Sequence, residues 1–393
     1  MSAKNSEFGG IVLGWLVRDP DNGAAVINSD VHVCDAAEVN VCRCFSRPEF
    51  RSCPMAALVD RRLSRRGMLR VASGLAVAAT AGCSIGGGAA SGSADTIRLG
   101  MQATTVGAAA KIAERKGYFA AQGLVPTYSI FAKGPDAAAA LQAGSVDVIV
   151  LNYVSLINAL VNKTADLMVV VDANQATPQS CRLIVDSTAG IAHPRDLEGK
   201  KVAIHAERSV NELLVRETMT NAAANPQAVD YRPITFDKTA QAILSGQVSA
   251  GVLIEPFLSL ALMRGLGVTD PFSIIHGSTD AFPLAAWVTT RDTARHKRGM
   301  LEAFQRAMAP AQVDAGNRDE QQKSLPDLLT QLGGGVNKDQ ISNVMQLLQL
   351  DGFPLTADAN RLNKVSRVMK AQGWLTQDFD LGPVLLTKDT PRN

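Results

Sequence analysis

Apolar and polar positions along the middle of the chain follow a regular succession of strand and helix patterns. Buried or alternating apolar runs predict strands at Thr96–Gln102, Val125–Phe131 and residues 146–151. Helical periods lie between them, at residues 108–117 and in a segment that opens at Gly134-Pro135-Asp136, where proline suits the first helical turn. Strands that alternate with helices in this way indicate an α/β fold.

The same succession recurs further along the chain. Lys200–Met219 has the pattern of strand, loop and helix, residues 231–236 that of a strand, and Thr239–Phe257 that of helix and strand. Aligning Gly144 with Gly246 superimposes the helix ends of the two copies. The duplication predicts two similar lobes, each a mainly parallel sheet flanked by helices, with a cleft between them. In such sheets ligands bind beyond the carboxyl ends of the strands.

Three further segments near the carboxyl terminus have helical periodicity, at residues 325–333, 339–350 and 360–374. Each combines one apolar face with one polar face. We expect these helices to pack back on the first lobe through their apolar faces.

Residues 55–82 have the pattern of a cleaved signal peptide. Basic residues precede an apolar run of eleven residues, Val71–Ala81, which is too short to span a ~30 Å hydrocarbon layer as a helix. The stretch around Arg65 and Arg66 resembles the twin-arginine export motif, although Met68 and Arg70 replace the usual Phe and Lys. The alternative is a buried alanine-rich helix that happens to follow arginines.

The signal pattern ends at a sequence that resembles a lipobox. In Thr80-Ala81-Gly82-Cys83, the cysteine would be lipidated and become the first residue of the mature chain, although Thr80 replaces the usual Leu. The polar, glycine-rich and serine-rich residues 83–95 predict a flexible linker. We therefore expect an exported lipoprotein that is attached to the outer face of the cytoplasmic membrane through its lipid alone. Stable anchoring needs two or more acyl chains, which the diacyl or triacyl group on a bacterial lipoprotein cysteine provides.

Residues 1–54 precede this signal pattern, although a signal peptide normally begins at the amino terminus. A short basic head starts at Met55, so we interpret residues 1–54 as an unstructured extension from an incorrectly assigned start. The extension contains four cysteines at irregular spacing, Cys34, Cys42, Cys44 and Cys53. A zinc site is the alternative, but the paired CxxC spacing that zinc sites favour is absent.

Composition narrows the class of partner. The 393 residues are 46% hydrophobic and carry a formal net charge of +2, so a large core is available and no basic field for nucleic acid is implied. After Cys83 the only cysteine is Cys181, which excludes a disulfide within the mature chain. Neither a metal-binding motif nor a cofactor motif is present in it, so we expect no metal and no cofactor.

Several short stretches, in this order, resemble the solute-binding proteins of ABC importers for nitrate, taurine and aliphatic sulfonates, with a related thiamine-pyrimidine branch. They are Lys116–Leu124 (KGYFAAQGL), Ala139–Val148 (AALQAGSVDV), Asp196–Ile204 (DLEGKKVAI), Leu244–Phe257 (LSGQVSAGVLIEPF) and Ala285–Asp292 (AAWVTTRD). The pattern departs at Ser249-Ala250, where Asp-Ala is usual. The resemblance implies a two-lobed periplasmic-binding-protein fold of type II and a monomer that delivers a small solute to permease and ATPase subunits.

The resemblance also implies that the chain crosses twice between the lobes. We place the crossings near Leu183–Asp186 and Leu284–Val288, so that the first lobe comprises residues 96–183 plus 286–393 and the second comprises residues 184–285. Lobe closure around the solute would then be recognised by the permease.

Polar residues that follow predicted strands or begin predicted helices are the candidates for ligand binding. They are Gln102, Thr104, Thr105, Lys133, Gly134, Asn152, Tyr153, Asn174, Gln175, Arg208, Ser209, Asn211 and Glu255. Amides, hydroxyls and helix N-termini suit a small polar or anionic ligand.

Each type of candidate also has an ordinary structural interpretation. Thr104, Thr105 and Ser209 are residue types that commonly cap helices, and Asn174 is of a type that forms turns. Tyr153 is also consistent with packing, and Lys133 and Arg208 with solvated surface charges. Both interpretations remain open from the sequence.

Glu255 would give the cleft a negative charge. A carboxylate there repels a bare anion such as nitrate, whereas it binds an ammonium or ring amine through ionic hydrogen bonds. The alternative is a charge turned to solvent before Pro256. We therefore expect a solute with a donor or positive group, as in taurine or an aminopyrimidine.

Two other functions compete with transport. A thiamine-pyrimidine synthase would need a pyridoxal lysine, a sacrificial histidine and a cysteine-rich iron motif, which is not matched by Cys42-Arg43-Cys44-Phe45. His205-Ala206-Glu207 matches the H-x-E of zinc deaminases, but no P-C-x-x-C follows. We expect a binding protein and no enzyme. A ligand-sensing receptor would use the same two lobes and stays open.

Overall fold

Strands and helices alternate along residues 95–371 and build two separate β-sheets. The computed structural model describes residues 17–18, 25–26, 94–102, 104–263, 272–330 and 338–387. The chain divides into two units, residues 1–87 and residues 88–393. In the first unit Val17–Arg18 pairs antiparallel with Ala25–Val26, so these four residues depart from the expectation that residues 1–54 lack structure. The sequence between them contains the turn-forming Pro20 and Gly23.

The strands of the second unit, in chain order, are β1 (Asp95–Met101), β2 (Leu124–Ile130), β3 (Val148–Asn152), β4 (Leu167–Gln175), β5 (Cys181–Val185), β6 (Lys201–Ile204), β7 (Asp230–Pro233), β8 (Ala250–Ile254) and β9 (Pro283–Thr290). The helices are α1 (Ala108–Arg115), α2 (Tyr118–Ala121), α3 (Gly134–Gln142), α4 (Tyr153–Val161), α5 (Val210–Asn221), α6 (Phe236–Leu244), α7 (Phe257–Met263), α8 (Arg291–His296), α9 (Arg298–Ala315), α10 (Arg318–Thr330), α11 (Lys338–Leu347) and α12 (Ala359–Ala371).

Each sheet has one strand that runs against the others. The five-stranded sheet has the order β2-β1-β3-β9-β4, and only β9 is antiparallel to its neighbours. The four-stranded sheet has the order β5-β8-β6-β7, and only β5 is antiparallel. Both reversed strands lie next to a crossing between the sheets. The expected α/β fold with two mainly parallel sheets is confirmed.

The crossings lie outside the positions expected from the sequence. β5, at Cys181–Val185, belongs entirely to the four-stranded sheet, and β9, at Pro283–Thr290, belongs entirely to the five-stranded one. The chain therefore changes sheets between residues 175 and 181 and again between residues 254 and 283. The expected boundaries near 183–186 and 284–288 fall within these two strands, because the sequence alone does not show which sheet an apolar strand joins.

The two halves do share the turn that the alignment of glycines predicted. Gly144 follows α3 with a φ of 69°, and Gly246 follows α6 with a φ of 70°. Both positions are left-handed, which glycine adopts without a Cβ clash. Each turn leads into a buried strand, β3 and β8 respectively.

Apolar residues fill the space between the sheets and their helices. Trp287 of β9 is fully buried and meets Phe304 of α9 edge to face, with ring centroids 5.6 Å apart. Phe119 is 1% exposed and stacks on the same ring. Aromatic contacts of this kind stabilise beyond their buried area.

The helical tail contacts both lobes. α10 packs on α1 and α9 of the first lobe, as expected. α11 also contacts α7, and α12 contacts α5, both of the second lobe. The prediction that the tail packs on the first lobe is therefore incomplete, since its last two helices lie where the lobes meet.

Gly251 in β8 gives a test of the packing of the second sheet. A Cβ at this position would lie 2.6 Å from Thr239 Cγ2 and 3.1 Å from Ala203 Cβ. We expect Gly251→Ala to destabilise the protein by about 1–3 kcal/mol through overpacking, measured by urea unfolding. Gly299→Ala is the control, since that exposed helical position has open space around it and alanine should stabilise the helix by up to about 1 kcal/mol. Equal effects of the two substitutions would contradict this packing.

Candidate functional site

Residues at the carboxyl ends of strands from the two lobes contact each other. Gln102 follows β1 in the first lobe, and its Nε2 lies 2.9 Å from Nε2 of His205, which follows β6 in the second lobe. The Thr105 N–H donates to the main-chain oxygen of Glu255, which follows β8, at 3.3 Å. The strand ends of the two sheets therefore face each other across one boundary, as the rule for parallel sheets predicts.

Two cavities lie along this boundary. The larger, of about 800 Å³, is bounded by Lys133 and Pro135 of the first lobe and by the loops after β6 and β7 together with α6 in the second. The smaller, of about 300 Å³, lies between the α3 and α4 region and the loop after β6. Glu207 lines both cavities. Together they form the interlobe cleft, a volume that suits a small solute.

A group of buried polar side chains, together with the main-chain N–H of the half-buried Gln349, lies where the lobes join. We call it the polar junction, and it consists of Thr105, Asn174, Glu255, Ser259, Gln349 and Asp351. Thr105 and Asn174 come from the first lobe, Glu255 and Ser259 from the second, and the last two from the segment after α11. Its members lie far apart in the sequence, so the fold alone brings them together.

Glu255 is held by donors of its own chain. Its side chain is fully buried, Oε1 accepts from Ser259 Oγ at 3.0 Å and from Gln349 N–H at 3.1 Å, and Oε2 accepts from Ser259 N–H at 3.1 Å. Burial raises the pKa of Glu255 to about 7 against these hydrogen bonds, and the nearby Asp351 carboxylate adds to the rise. The structure thus places Glu255 neither on an open cleft surface nor in solvent.

Asp351 is the second buried carboxylate of the polar junction, and it was not among the residues predicted for the site. Its Oδ2 accepts from Thr105 Oγ1 at 2.6 Å and from Asn174 Nδ2 at 3.1 Å, and Ser180 also hydrogen-bonds to it. Burial raises the pKa of Asp351 above its usual range. Asp351 therefore explains why Thr105 and Asn174 are polar.

The loop between β6 and α5 carries polar atoms that lack partners among the described residues. Ser209 is the N-cap of α5, yet its side chain makes no capping hydrogen bond and its buried Oγ has no partner there. Nδ1 of His205 is likewise buried and unpartnered. Buried polar groups are hydrogen-bonded in most structures, so these two atoms need an explanation beyond the fold.

Arg208 in the same loop contacts the tail of the first lobe. Its φ of 49° is left-handed, and its N–H donates to Glu212 Oε2 at 2.7 Å. The guanidinium lies over the ring of Trp374, 4.9 Å from the centroid, and donates to the Trp374 carbonyl at 3.3 Å. Arg208 is therefore not a free surface charge but part of the contact between the lobes.

Other predicted site residues have structural roles. Asn152 caps α4 by accepting from Ser155 N–H at 2.8 Å. Tyr153 is fully buried and donates to Asp172 at 2.9 Å, and burial raises its pKa above the usual range. Thr104 is 3% exposed and makes no side-chain capping bond. For Asn152 and Tyr153 the structural interpretation fits these contacts.

Five predicted residues lie at the end of β4, in the first turn of α5 or at the start of α3. Asn174 and Gln175 do not follow β4 but form its end, and Gln175 pairs with Gly352 through main-chain hydrogen bonds in both directions. Asn211 is buried in the first turn of α5. Gly134 begins α3 and lines the smaller cavity, next to the exposed Lys133.

The expected export and lipidation residues, Arg65, Arg66 and Cys83, lie outside the described residues. Within the described ranges, no helix combines the length and apolarity needed to cross a membrane. In the same ranges, no group of three or more His, Cys, Asp or Glu side chains is placed to hold a metal ion.

A family model described as NMT1/THI5 like matches residues 105–321, more than half of the chain. The chain belongs to this family. The match includes the first helix, both crossings and the loop after β6, so the cleft described above is the cleft of an NMT1/THI5-like domain. The family resemblance stated from the motifs is thereby confirmed. No functionally curated protein matches the sequence.

Solved structures show which fold this NMT1/THI5-like domain has. The periplasmic aliphatic sulphonate binding protein SsuA from Escherichia coli is 18% identical with a TM-score of 0.57, covering 74% of this chain and 97% of its own. The periplasmic nitrate-binding protein NrtA from Synechocystis PCC 6803 is 13% identical with a TM-score of 0.54, covering 71% and 82%. The Candida albicans CA3427 gene product, described as having the generic periplasmic binding protein fold, is 13% identical with a TM-score of 0.55, covering 73% and 92%. At these identities the likeness establishes the fold.

The raised pKa of Glu255 predicts a pH-dependent stability. Because the folded-state pKa of about 7 exceeds the ordinary value of 4.5, the unfolded chain loses its proton first as pH rises, and stability falls between about pH 4.5 and 7. Glu255→Gln removes this loss. At each pH we compare the free energies of unfolding of Glu255→Gln and wild type, measured with urea. We expect the difference, variant minus wild type, to increase by about 2–3 kcal/mol from pH 5 to pH 8. The exposed Glu207→Gln is the control. A difference independent of pH would contradict the assignment.

Proposed function

We propose that the chain is the extracytoplasmic solute-binding protein of an ABC importer. It captures a small polar organic solute, sulfonate-like or taurine-like, by closure of the two lobes and delivers it to a membrane permease. Export and attachment through a lipidated Cys83 belong to this proposal. The observation that carries it is the interlobe cleft, which is bounded by strand ends of both lobes and lined by His205, whose buried Nδ1 has no partner in the described chain.

Ser209 supports solute binding more directly than the other candidates. Serine at an N-cap commonly stabilises its helix by accepting a main-chain hydrogen bond, but Ser209 makes no such bond. Its buried hydroxyl is therefore unpaired among the described residues, at the N-terminus of α5, where the helix dipole favours an anion. We propose that Ser209 and the neighbouring N-terminal amides of α5 bind the anionic group.

The charges along the cleft support a solute that is anionic at one end. Lys133 from the first lobe and Lys238 from the second line the larger cavity, and Arg208 lines the smaller one. Glu207, which lines both, would bind the ammonium group of a taurine-like solute. We propose that Glu255 positions the lobes from within the polar junction, with Thr105 and Asn174, and that Gln102, Lys133, Gly134, Arg208 and Ser209 contact the solute.

A thermal-shift screen of the purified chain tests the proposed function. We expect taurine or an alkanesulfonate to raise the melting temperature, since a ligand at 100 times its Kd adds about 2.7 kcal/mol of stability. Nitrate, an aminopyrimidine and a flavin are the comparison solutes. A response to the aminopyrimidine alone would assign the chain to heterocycle import. No response to any of them, or turnover of one, would contradict the proposal.

Ser209→Ala separates a binding role from a capping role. Because the hydroxyl makes no capping bond, we expect the free energy of unfolding to change by only a few tenths of a kcal/mol, with a loss of solute affinity of about tenfold. Thr290→Ala is the matched control, since Thr290 caps α8 by accepting from Thr293 N–H at 3.0 Å. That variant should lose about 1 kcal/mol of stability and keep its affinity. Urea unfolding and calorimetric titration measure both, and the reverse pattern would assign Ser209 to the helix cap.

A further inference from the structure

His205 connects the two lobes in the larger cavity and was not among the predicted site residues. It lies directly after β6, is 9% exposed and lines the cavity wall. Its ring stacks on Phe236 of α6, with centroids 4.2 Å apart and an angle of 9° between the planes. The stack fixes the plane of the ring, and the contact of Nε2 with Gln102 sets the directions of its two nitrogens within that plane.

Gln102 determines which of these nitrogens carries the proton. The side-chain amide nitrogen of Gln102, which can only donate, lies 2.9 Å from Nε2 of His205. Burial lowers the pKa of His205 to about 4, and the positive charge of Lys133 adds to this effect, so the ring is neutral at pH 7. In a neutral imidazole whose Nε2 accepts, the proton lies on Nδ1.

This arrangement leaves a buried donor without an acceptor. Nδ1 of His205 is buried and has no hydrogen-bond partner among the described residues. Leaving a buried donor unpaired is unfavourable, and a fixed ring cannot turn to relieve it. An acceptor from outside the chain would satisfy it, and the cavity that His205 lines is where such an acceptor can enter.

We propose that His205, held by Gln102 as the Nδ1–H tautomer, donates a hydrogen bond to an acceptor atom of the solute and so selects the solute's orientation. The inference rests on the proposed function and deepens it. Lys133, from the opposite lobe, lines the same cavity, so an oxygen of an oxyanion or a carbonyl is the chemistry that fits there. An ammonium group is disfavoured at this point, because it would face the Nδ1–H donor of His205 and the positive charge of Lys133.

The contact also couples recognition to lobe closure. Gln102 belongs to the first lobe and His205 to the second. When the lobes separate, Nε2 loses the donor that holds the proton on Nδ1. The donor that the solute needs is therefore fixed only when the lobes are together.

The tautomer can be tested without a solute. Nitrogen-detected NMR of the histidine rings in the full chain at pH 7 should show His205 with a protonated Nδ1 and an unprotonated Nε2, assigned by comparison with the His205→Asn variant. Gln102→Ala should shift this equilibrium towards Nε2–H. A wild-type His205 with its proton on Nε2 would overturn the inference, whatever solutes bind.

The contact with solute can be tested with two variants that each retain one nitrogen position. The amide nitrogen of His205→Asn lies near the former Nδ1, and that of His205→Gln lies near the former Nε2. Both lose the stack on Phe236, so this loss cancels in the comparison. For ethanesulfonate and taurine, measured by calorimetric titration, we expect His205→Gln to weaken affinity at least tenfold more than His205→Asn.

The outcomes separate this inference from the proposed function. Equal losses of affinity in the two variants, with melting temperatures alike, would reduce His205 to a packing residue. Greater loss in His205→Asn would place the useful nitrogen at Nε2 and overturn the inference. If wild type binds neither ethanesulfonate nor taurine, the proposed function fails for sulfonates and the solute contact of His205 fails with it, while the NMR result still decides the tautomer.

Discussion

The polar junction sets the constraint on which the arrangement of the two lobes depends. Two carboxylates, Glu255 and Asp351, are buried close enough for one to raise the pKa of the other. Burying such groups is unfavourable unless each oxygen has a donor. Glu255 accepts from Ser259 and Gln349, and Asp351 accepts from Thr105, Asn174 and Ser180, so the donors come from several separate segments. The junction therefore stays intact only if those segments keep their positions, which fixes the base of the cleft between the lobes.

Away from the junction, the polar groups of the cleft differ in how completely the fold satisfies them. Asn152 and Thr290 cap helices, and Tyr153 bonds to Asp172, so these residues stabilise the first lobe. The loop between β6 and α5 differs, since His205 and Ser209 retain unpartnered atoms. At these positions the first lobe satisfies its own polar groups, while the loop between β6 and α5 of the second lobe keeps buried atoms that have no partner among the described residues. This division is what a binding protein requires, because rigid positioning lowers the cost of binding.

Much of the fold could be predicted from the sequence, because buried strands and glycine-terminated helices leave strong periodic signals. Gly144 and Gly246 both ended helices as expected, and the strands β1, β2 and β3 lie within two residues of their predicted bounds. The crossings could not be placed in this way. Cys181–Val185 and Pro283–Thr290 are apolar strands that suit either sheet, and only tertiary pairing decides between them.

The candidate site was predictable in outline and not in its contacts. The rule that ligands bind beyond strand ends correctly brought Gln102 and the loop after β6 to one boundary. The same rule does not predict a role for Asp351, because an Asp-Gly pair that follows a helix usually forms only a turn. In the sequence His205 belongs only to an incomplete metal motif, since neither its stack on Phe236 nor its missing partner leaves a trace in sequence spacing.

The stack of Arg208 on Trp374 has a spectroscopic consequence. Trp374 is half-buried at the boundary and contacts Arg208 of the opposite lobe. Trp287 is fully buried in the five-stranded sheet. Separation of the lobes removes the guanidinium from Trp374 and leaves Trp287 in unchanged surroundings, and the third tryptophan, Trp15, lies outside the described residues. Intrinsic fluorescence therefore contains a signal sensitive to opening alongside an internal reference, so domain motion in this protein is observable without any attached dye.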